Sequence, residues 1–303
     1  MLMTFSSTYN ESAPHPELPP MNFFLSLYVI CLVSRPSSTI FLMFVIIDTC
    51  LHLPLSVFIL YHGLQQWRKT STSSATPISH SDCFTYHLAG MELIGVIGYI
   101  VSSCAIYMEN TLFLQSSILI YSITWFGEMC FHMLTCVEHY LAVVHPIIYL
   151  NLRNERWIRI RTVITGFVWL LCLSWVILVT VKHFLVVIFC FVIFCLLVVS
   201  FCNFSVLSVL IRPGPGGQGG GRERADQSKR RAFYTIVAIL GTLVLRFAWG
   251  LFWTIVYVSK GNTDCVTMTV DVWFSLPSSL MLPLLFLYRT GRCLFCKKNI
   301  PSA

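Results

Sequence analysis

Charge is the scarcest feature of this chain. Asp, Glu, Lys and Arg together make up 11% of its 303 residues, against 56% hydrophobic residues and a mean hydropathy of +0.75. So little polar surface cannot cover a water-soluble globule, which leaves a membrane protein. Other absences narrow the class. The first apolar run, Phe23 to Val33, has no basic flank before it and no small-x-small cleavage site after it, so it reads as an uncleaved pre-helix and not as a signal peptide. The glycine-rich stretch Arg212 to Arg231 lacks a preceding soluble strand and a Gly-Lys-Ser/Thr ending, which excludes a phosphate-binding loop. The histidines and cysteines lack metal-ligand spacing, no catalytic constellation is visible, and no internal repeats of the transporter kind appear. Neither an enzyme nor a cofactor is expected.

What the chain does have is a succession of apolar runs. They lie at about Ser38 to His62, Cys83 to Met108, Leu112 to Val137, Val163 to Val181, Phe184 to Ile211, Ala232 to Val258 and Val266 to Tyr288, each near the ~20 residues that cross a ~30 Å hydrocarbon core. From Val163 to Ile211 the chain is almost unbroken, and roughly 49 residues at 1.5 Å each reach about 73 Å, twice the core thickness. A hairpin near Thr180, Lys182 and His183 must therefore separate two crossings. The expectation is an all-α bundle of seven transmembrane helices.

The few cations orient it. Arg68 and Lys69 follow the first run; Arg153, Arg156, Arg159 and Arg161 lie between the third and fourth; Arg212, Arg222, Arg224, Lys229, Arg230 and Arg231 lie between the fifth and sixth; Arg289, Arg292, Lys297 and Lys298 follow the seventh. The opposite side holds Arg35, Lys182 and Lys260. The positive-inside rule then puts the amino terminus outside and the carboxyl terminus in the cytosol. The formal net charge of +7 follows from cytoplasmic loops facing anionic lipid, so no nucleic-acid partner is needed to explain it.

This divides the chain into an extracellular segment (1–37), a bundle (38–289) with a flexible basic loop (212–231), and a short cytoplasmic tail (290–303). Asn10-Glu11-Ser12 is a glycosylation sequon on the external side, which makes Asn10 a glycan acceptor. The tail Thr290 to Lys298 has the composition of a short interfacial helix, with Cys293 and Cys296 as palmitoylation candidates.

Polar residues inside the runs mark the candidate site. Glu128 lies about ten residues, or ~15 Å, before Glu138 and so near mid-membrane. An ionisable group there costs at least ~2.5 kcal/mol unless it faces a partner or water, so Glu128 and Glu92 both face inward. They form either a shared cation pocket or a hydrogen-bonded neutral pair that fixes helix packing. Arg246 in the sixth run needs an acid as well, and Glu128 or Glu92 would serve.

The third run ends Cys136-Val-Glu138-His139-Tyr140-Leu-Ala-Val-Val-His145-Pro146-Ile147-Ile-Tyr149. This resembles the cytoplasmic end of the third helix in rhodopsin-like G-protein-coupled receptors, where Asp-Arg-Tyr precedes Leu-Ala-Val-Val-His-Pro and an aliphatic residue. Here Glu138 replaces the acid and His139 the arginine. Leu88-Ala89-Gly90-Met91-Glu92-Leu93 is similar to the family's Leu-Ala-x-x-Asp-Leu, Leu245 to Leu251 keeps the sixth-helix tryptophan as Trp249, and Leu282-Pro283-Leu284-Leu285-Phe286 keeps the proline of Asn-Pro-x-x-Tyr. The resemblance covers about Ser38 to Cys296. It departs at Pro54, which stands where an asparagine is usual, and at Leu114, near which the customary cysteine is missing.

The resemblance implies a plasma-membrane receptor for an extracellular ligand that couples to a heterotrimeric G protein. Glu138, His139, Tyr140, Ile147, Arg231, Trp249 and Pro283 would take part in activation, with Glu138 paired to Arg231 in the inactive state. It further implies a sodium site at Glu92 and Glu128, to which Ser278 and Ser279 are in register to contribute, and a disulfide between Cys31 and Cys265, with Cys104 as a rival partner. Two other readings stay open: a transporter or ion-conducting bundle that uses Glu92, Glu128 and Arg246 as a relay, and a receptor-shaped protein that does not signal.

The charge asymmetry predicts that a tag placed before Ser38 is reached by antibody on intact cells, and one after Lys298 only after permeabilisation. Detection of both from one side would mean an even number of crossings.

Overall fold

Inside a bilayer every backbone N–H and C=O must find its partner within the protein, so apolar runs of this length fold as α-helices. The computed structural model describes residues 23–72, 83–147, 155–179, 184–211, 237, 239–252, 255–256, 259 and 264–298, with the side chains of 23–27, 69–72, 155–158, 184–185, 210 and 289–298 left aside. Regular structure among the described residues is helical. The helices are α1 (Phe23–Val33), α2 (Ser37–Thr72), α3 (Cys83–Tyr107), α4 (Thr111–Val144), α5 (Glu155–Val179), α6 (Phe184–Ile211), α7 (Ile239–Phe252) and α8 (Cys265–Lys298).

Five segments are long and apolar enough to cross a membrane: Ser37–Arg68, Cys83–Tyr107, Arg159–Val179, Val186–Val209 and Cys265–Tyr288. Two of the seven expected runs fall outside this set for different reasons. Helix α4 has ample length at 34 residues, but Gln115, Glu128 and His132 dilute its apolar character. Only part of the sixth run, Ile239–Phe252, is described as a continuous helix. The hairpin expected near Thr180, Lys182 and His183, the loop 212–231, Asn10 and Arg231 lie outside the described residues.

Helix α4 is the axis of the bundle. It packs against α3, α5 and α6, and α1 touches it as well. Helix α2 packs on α3 and α8, on the side of α3 away from α5 and α6. Local chemistry sets the limits of α4. Asn110 caps its start, with the side-chain oxygen accepting from the N–H groups of Leu112 and Phe113, and Pro146 cannot donate a backbone hydrogen bond beyond His145. Helix α8 contains Pro277 and Pro283 and continues to Lys298, so the tail residues extend the last helix where a separate interfacial helix was expected.

The core surrounds the middle of α4. Phe126 stacks on Trp175 of α5 at 4.3 Å between ring centroids, and Phe191 of α6 closes on both rings. At the next residue, Gly127 lets α3 and α5 approach: a β-carbon there would lie 2.6 Å from Met91 Cε and 3.2 Å from Cys172 Sγ. The outward faces are apolar too, with Phe167, Leu170, Leu197 and Phe201 more than half exposed, as a lipid-facing surface requires.

The terminal methyl of Met91 can swing aside for a single added carbon, but nothing there can yield to a branched side chain. Gly127→Ala should therefore be tolerated, while Gly127→Leu should cost about 1–3 kcal/mol through overpacking. Thermal unfolding in detergent compares the two; equal melting temperatures would show that α3 and α5 are not in close contact with α4 at this point.

Candidate functional site

Buried ionisable residues cluster at two levels along α4. At the first level, Arg246 of α7 donates from Nη2 to Glu128 Oε2 of α4 at 2.9 Å, and from Nη1 to Ser278 Oγ of α8 at 3.2 Å. The Ser278 hydroxyl in turn donates to the carbonyl of Ser275 at 2.7 Å. One guanidinium thereby ties together three helices. Its planar fork suits this role, because several donors leave a single delocalised charge in fixed directions. Ser279 is buried on the same helix.

Glu92 of α3 belongs to an adjoining group. Ser56 of α2 donates to its Oε2 at 3.0 Å, and one turn back on α2, His52 Nδ1 and Asp48 Oδ1 are 2.6 Å apart. Asp48, His52 and Glu128 all lie within electrostatic reach of Glu92. Glu92 and Glu128 are thus neighbours with separate hydrogen-bond partners. Sequence reading placed none of Asp48, His52 and Ser56 in the site. The i, i+4 spacing of Asp48 and His52 on one helix face was the available signal.

These residues do not fit the sodium site that the resemblance implies. The guanidinium of Arg246 bonds both Glu128 and Ser278, two of the groups such an ion would need, and supplies the positive charge itself. Among the described residues no group of three or more His, Cys, Asp or Glu side chains is arranged to hold a metal.

At the second level, near the His-Pro end of α4, Glu138 Oε1 accepts from Arg161 Nη2 of α5 at 2.8 Å, and both side chains are almost fully buried. The Arg161 guanidinium also lies over the Phe84 ring of α3, 5.3 Å from its centroid, a cation–π contact that joins a third helix. Sequence reading counted Arg161 only among the loop cations. Position alone could not separate it from Arg159, because both follow the same charge rule. Tyr140 bonds His145 Nε2 at 3.2 Å, while Ile147 is exposed.

Between the two levels lies a cavity of ≈ 20 Å³, about one water in size, lined by His132, Cys136, His139, Asn203 and several aliphatic side chains. His132 is fully buried with no hydrogen-bond partner on either ring nitrogen. Asn203 of α6 donates to the carbonyl of Val199. Trp249 stacks on Phe274 of α8 at 4.1 Å, and Pro283 lies within α8. Cys31 and Cys265 are joined by a disulfide, while Cys104 is a free thiol. The side chains of Cys293 and Cys296 lie outside the described residues.

No model of a known protein family matches the chain, and no curated protein sequence matches it. What this site can do has to come from its own geometry. Two interhelical ion pairs about three turns apart make α4 the shared partner of α5 and α7, whose arginines in turn reach Phe84 of α3 and Ser278 of α8. Such pairs hold relative helix positions.

Removing one member of a buried pair leaves an uncompensated charge, at a cost of about 3–5 kcal/mol. Arg246→Met should therefore lower stability strongly, and Glu128→Gln combined with Arg246→Met should recover most of the loss. A double-mutant cycle on thermal unfolding measures the coupling; additive losses would mean that the two side chains do not interact.

Proposed function

We propose that the chain is a divergent receptor of the rhodopsin-like class. In this reading seven helices cross the plasma membrane with the amino terminus outside, and an extracellular ligand is coupled to a heterotrimeric G protein. Support comes first from the run Glu138 to Ile147, whose order resembles the family's third-helix end. It comes also from the place of that run, at the end of the central helix beside a buried ion pair. Ligand binding shifts helix positions by favouring one of two packings, and the Glu138–Arg161 pair is the contact to be released at the G-protein end. Ile147, exposed just beyond the His-Pro stop, offers an apolar contact to the G-protein alpha subunit. Trp249 shares α7 with Arg246 and Pro283 shares α8 with Ser278, and both would carry the movement between levels.

The row of buried ionisable side chains Asp48, His52, Glu92, Glu128 and Arg246 favours a second reading, an ion or proton conductor. Measured flux in proteoliposomes without G-protein activation in cells would select it. A receptor-shaped chain that does not signal would give neither.

The departure at His139 and the ion pair at Glu138 yield the decisive comparison. If Glu138–Arg161 holds the inactive packing, Glu138→Gln and Arg161→Gln should each raise basal signalling, about fivefold for each ~1 kcal/mol of differential stabilisation lost. The exchange Glu138→Arg with Arg161→Glu should bring it back down. Basal and ligand-screened signalling of the unaltered chain and of His139→Arg gives the reference. Equal activity in all of these, at equal surface expression, would remove the coupling role.

A further inference from the structure

Helix α1 does not belong to the bundle in the way the other helices do. Its 11 residues reach only about 16 Å, half of a hydrocarbon core, and yet they are apolar on every side. One face, Val29, Cys31 and Leu32, is almost completely buried, while Ile30 and Val33 on the other are at least half exposed. The buried face shares one hydrophobic cluster with Phe44 of α2, Ala105 of α3, Ile118 of α4 and Val272 of α8. Four helices thus supply the walls, and α1 fills the space between their ends. Direct packing of α1 on α2, α4 and α8 places it across the opening and not along one flank.

Among its described side chains, α1 carries the phenol of Tyr28 into this space. Tyr28 is half-buried as a residue, but its hydroxyl lies within electrostatic reach of Tyr99 of α3, Tyr121 of α4 and Asp271 of α8. Burial, and then the charge of Asp271, push the phenol well above its ordinary pKa, as expected of a hydroxyl enclosed among these groups. Asp271 in turn lies within electrostatic reach of Arg246, the guanidinium of the first-level clamp. In the same cluster the indole N–H of Trp273 has no acceptor.

We infer that the end of the bundle walled by α2, α3, α4 and α8 is a binding site for an apolar helical peptide bearing a phenol, and that its resident ligand is α1 of the same chain. The Cys31–Cys265 disulfide adds a second tether at the end of α1 that leads into α2, fixing that end to the first residue of α8. Anything else that binds there must displace α1 or sit on top of it, and an acceptor directed at Trp273 is the feature by which it could bind better. The inference concerns packing and does not depend on whether the chain signals.

Two measurements on the full chain in lipid nanodiscs test it. With p-benzoylphenylalanine in place of Tyr28, ultraviolet cross-linking followed by peptide mass spectrometry should give adducts on the segments that carry Tyr99, Tyr121 or Asp271; adducts on lipid or α2 alone would overturn the inference. In the second, Tyr121→Cys is labelled with a bulky maleimide and the label located by mass spectrometry. It should react at least about tenfold faster in the Cys31→Ser, Cys265→Ser background than with the bridge intact, because the tether that keeps α1 seated is gone. Equal rates at matched thermal stability would show that α1 does not guard the site. Because the first measurement leaves the bridge intact, it stands even if the bridge-free protein folds poorly.

Discussion

A guanidinium buried inside an apolar helical bundle cannot stand alone. The cost of an isolated charge there is several kcal/mol, so the position of Arg246 obliges an acid on a facing helix and a polar group on a third. Glu128 and Ser278 meet that obligation, and in doing so they set how α4, α7 and α8 lie relative to one another. Hydrophobic packing could not specify this alone, because lipid tails are as apolar as the side chains and little is gained by choosing protein over lipid. The large rings around Phe126 and Trp175 fill space, whereas the ion pairs decide which helix meets which.

The same logic explains why α4 is both the most central helix and less apolar than its length would suggest. A lipid-facing helix has to be apolar, but an encircled one can carry Glu128, His132 and Glu138, because each faces protein. Helices α5 and α6 show the converse. Their outward residues are mostly large and apolar, and their inward contributions to the polar site shrink to Arg161 at one end of α5 and Asn203 on α6.

Much of the helical layout was legible in the sequence, because periods and lengths set by the bilayer are local properties. The bounds of α3 and α6 follow the apolar runs within a residue or so, and the His-Pro stop ends α4 as its chemistry requires. That Glu92, Glu128 and Arg246 face inward was legible too, since burial follows from cost. Which side chain meets which was not. Arg161 looked like one more loop cation, yet it reaches inward to Glu138 and lies over Phe84, a choice that depends on how α3 and α5 approach α4. His52 escaped notice for a different reason. Its partner Asp48 is a single turn away, but an apolar run with two polar residues reads as interruption before it reads as a pair. Sodium at Glu128 was an expectation carried by resemblance, and a tethered cation on α7 displaces it by geometry that no single-helix motif contains.

The link between Cys31 and Cys265 spans 234 positions of sequence, which gives the molecule the connectivity of a ring with two short ends. Helices α2 to α7 and every loop between them lie on that ring. A single cut in any of those loops, including the glycine-rich one, opens the ring into a line but leaves the two pieces in one covalent molecule. The long loop can therefore be nicked, lengthened or replaced without separating the parts it connects, so its freedom to vary is a property of the chain's closure as much as of its composition.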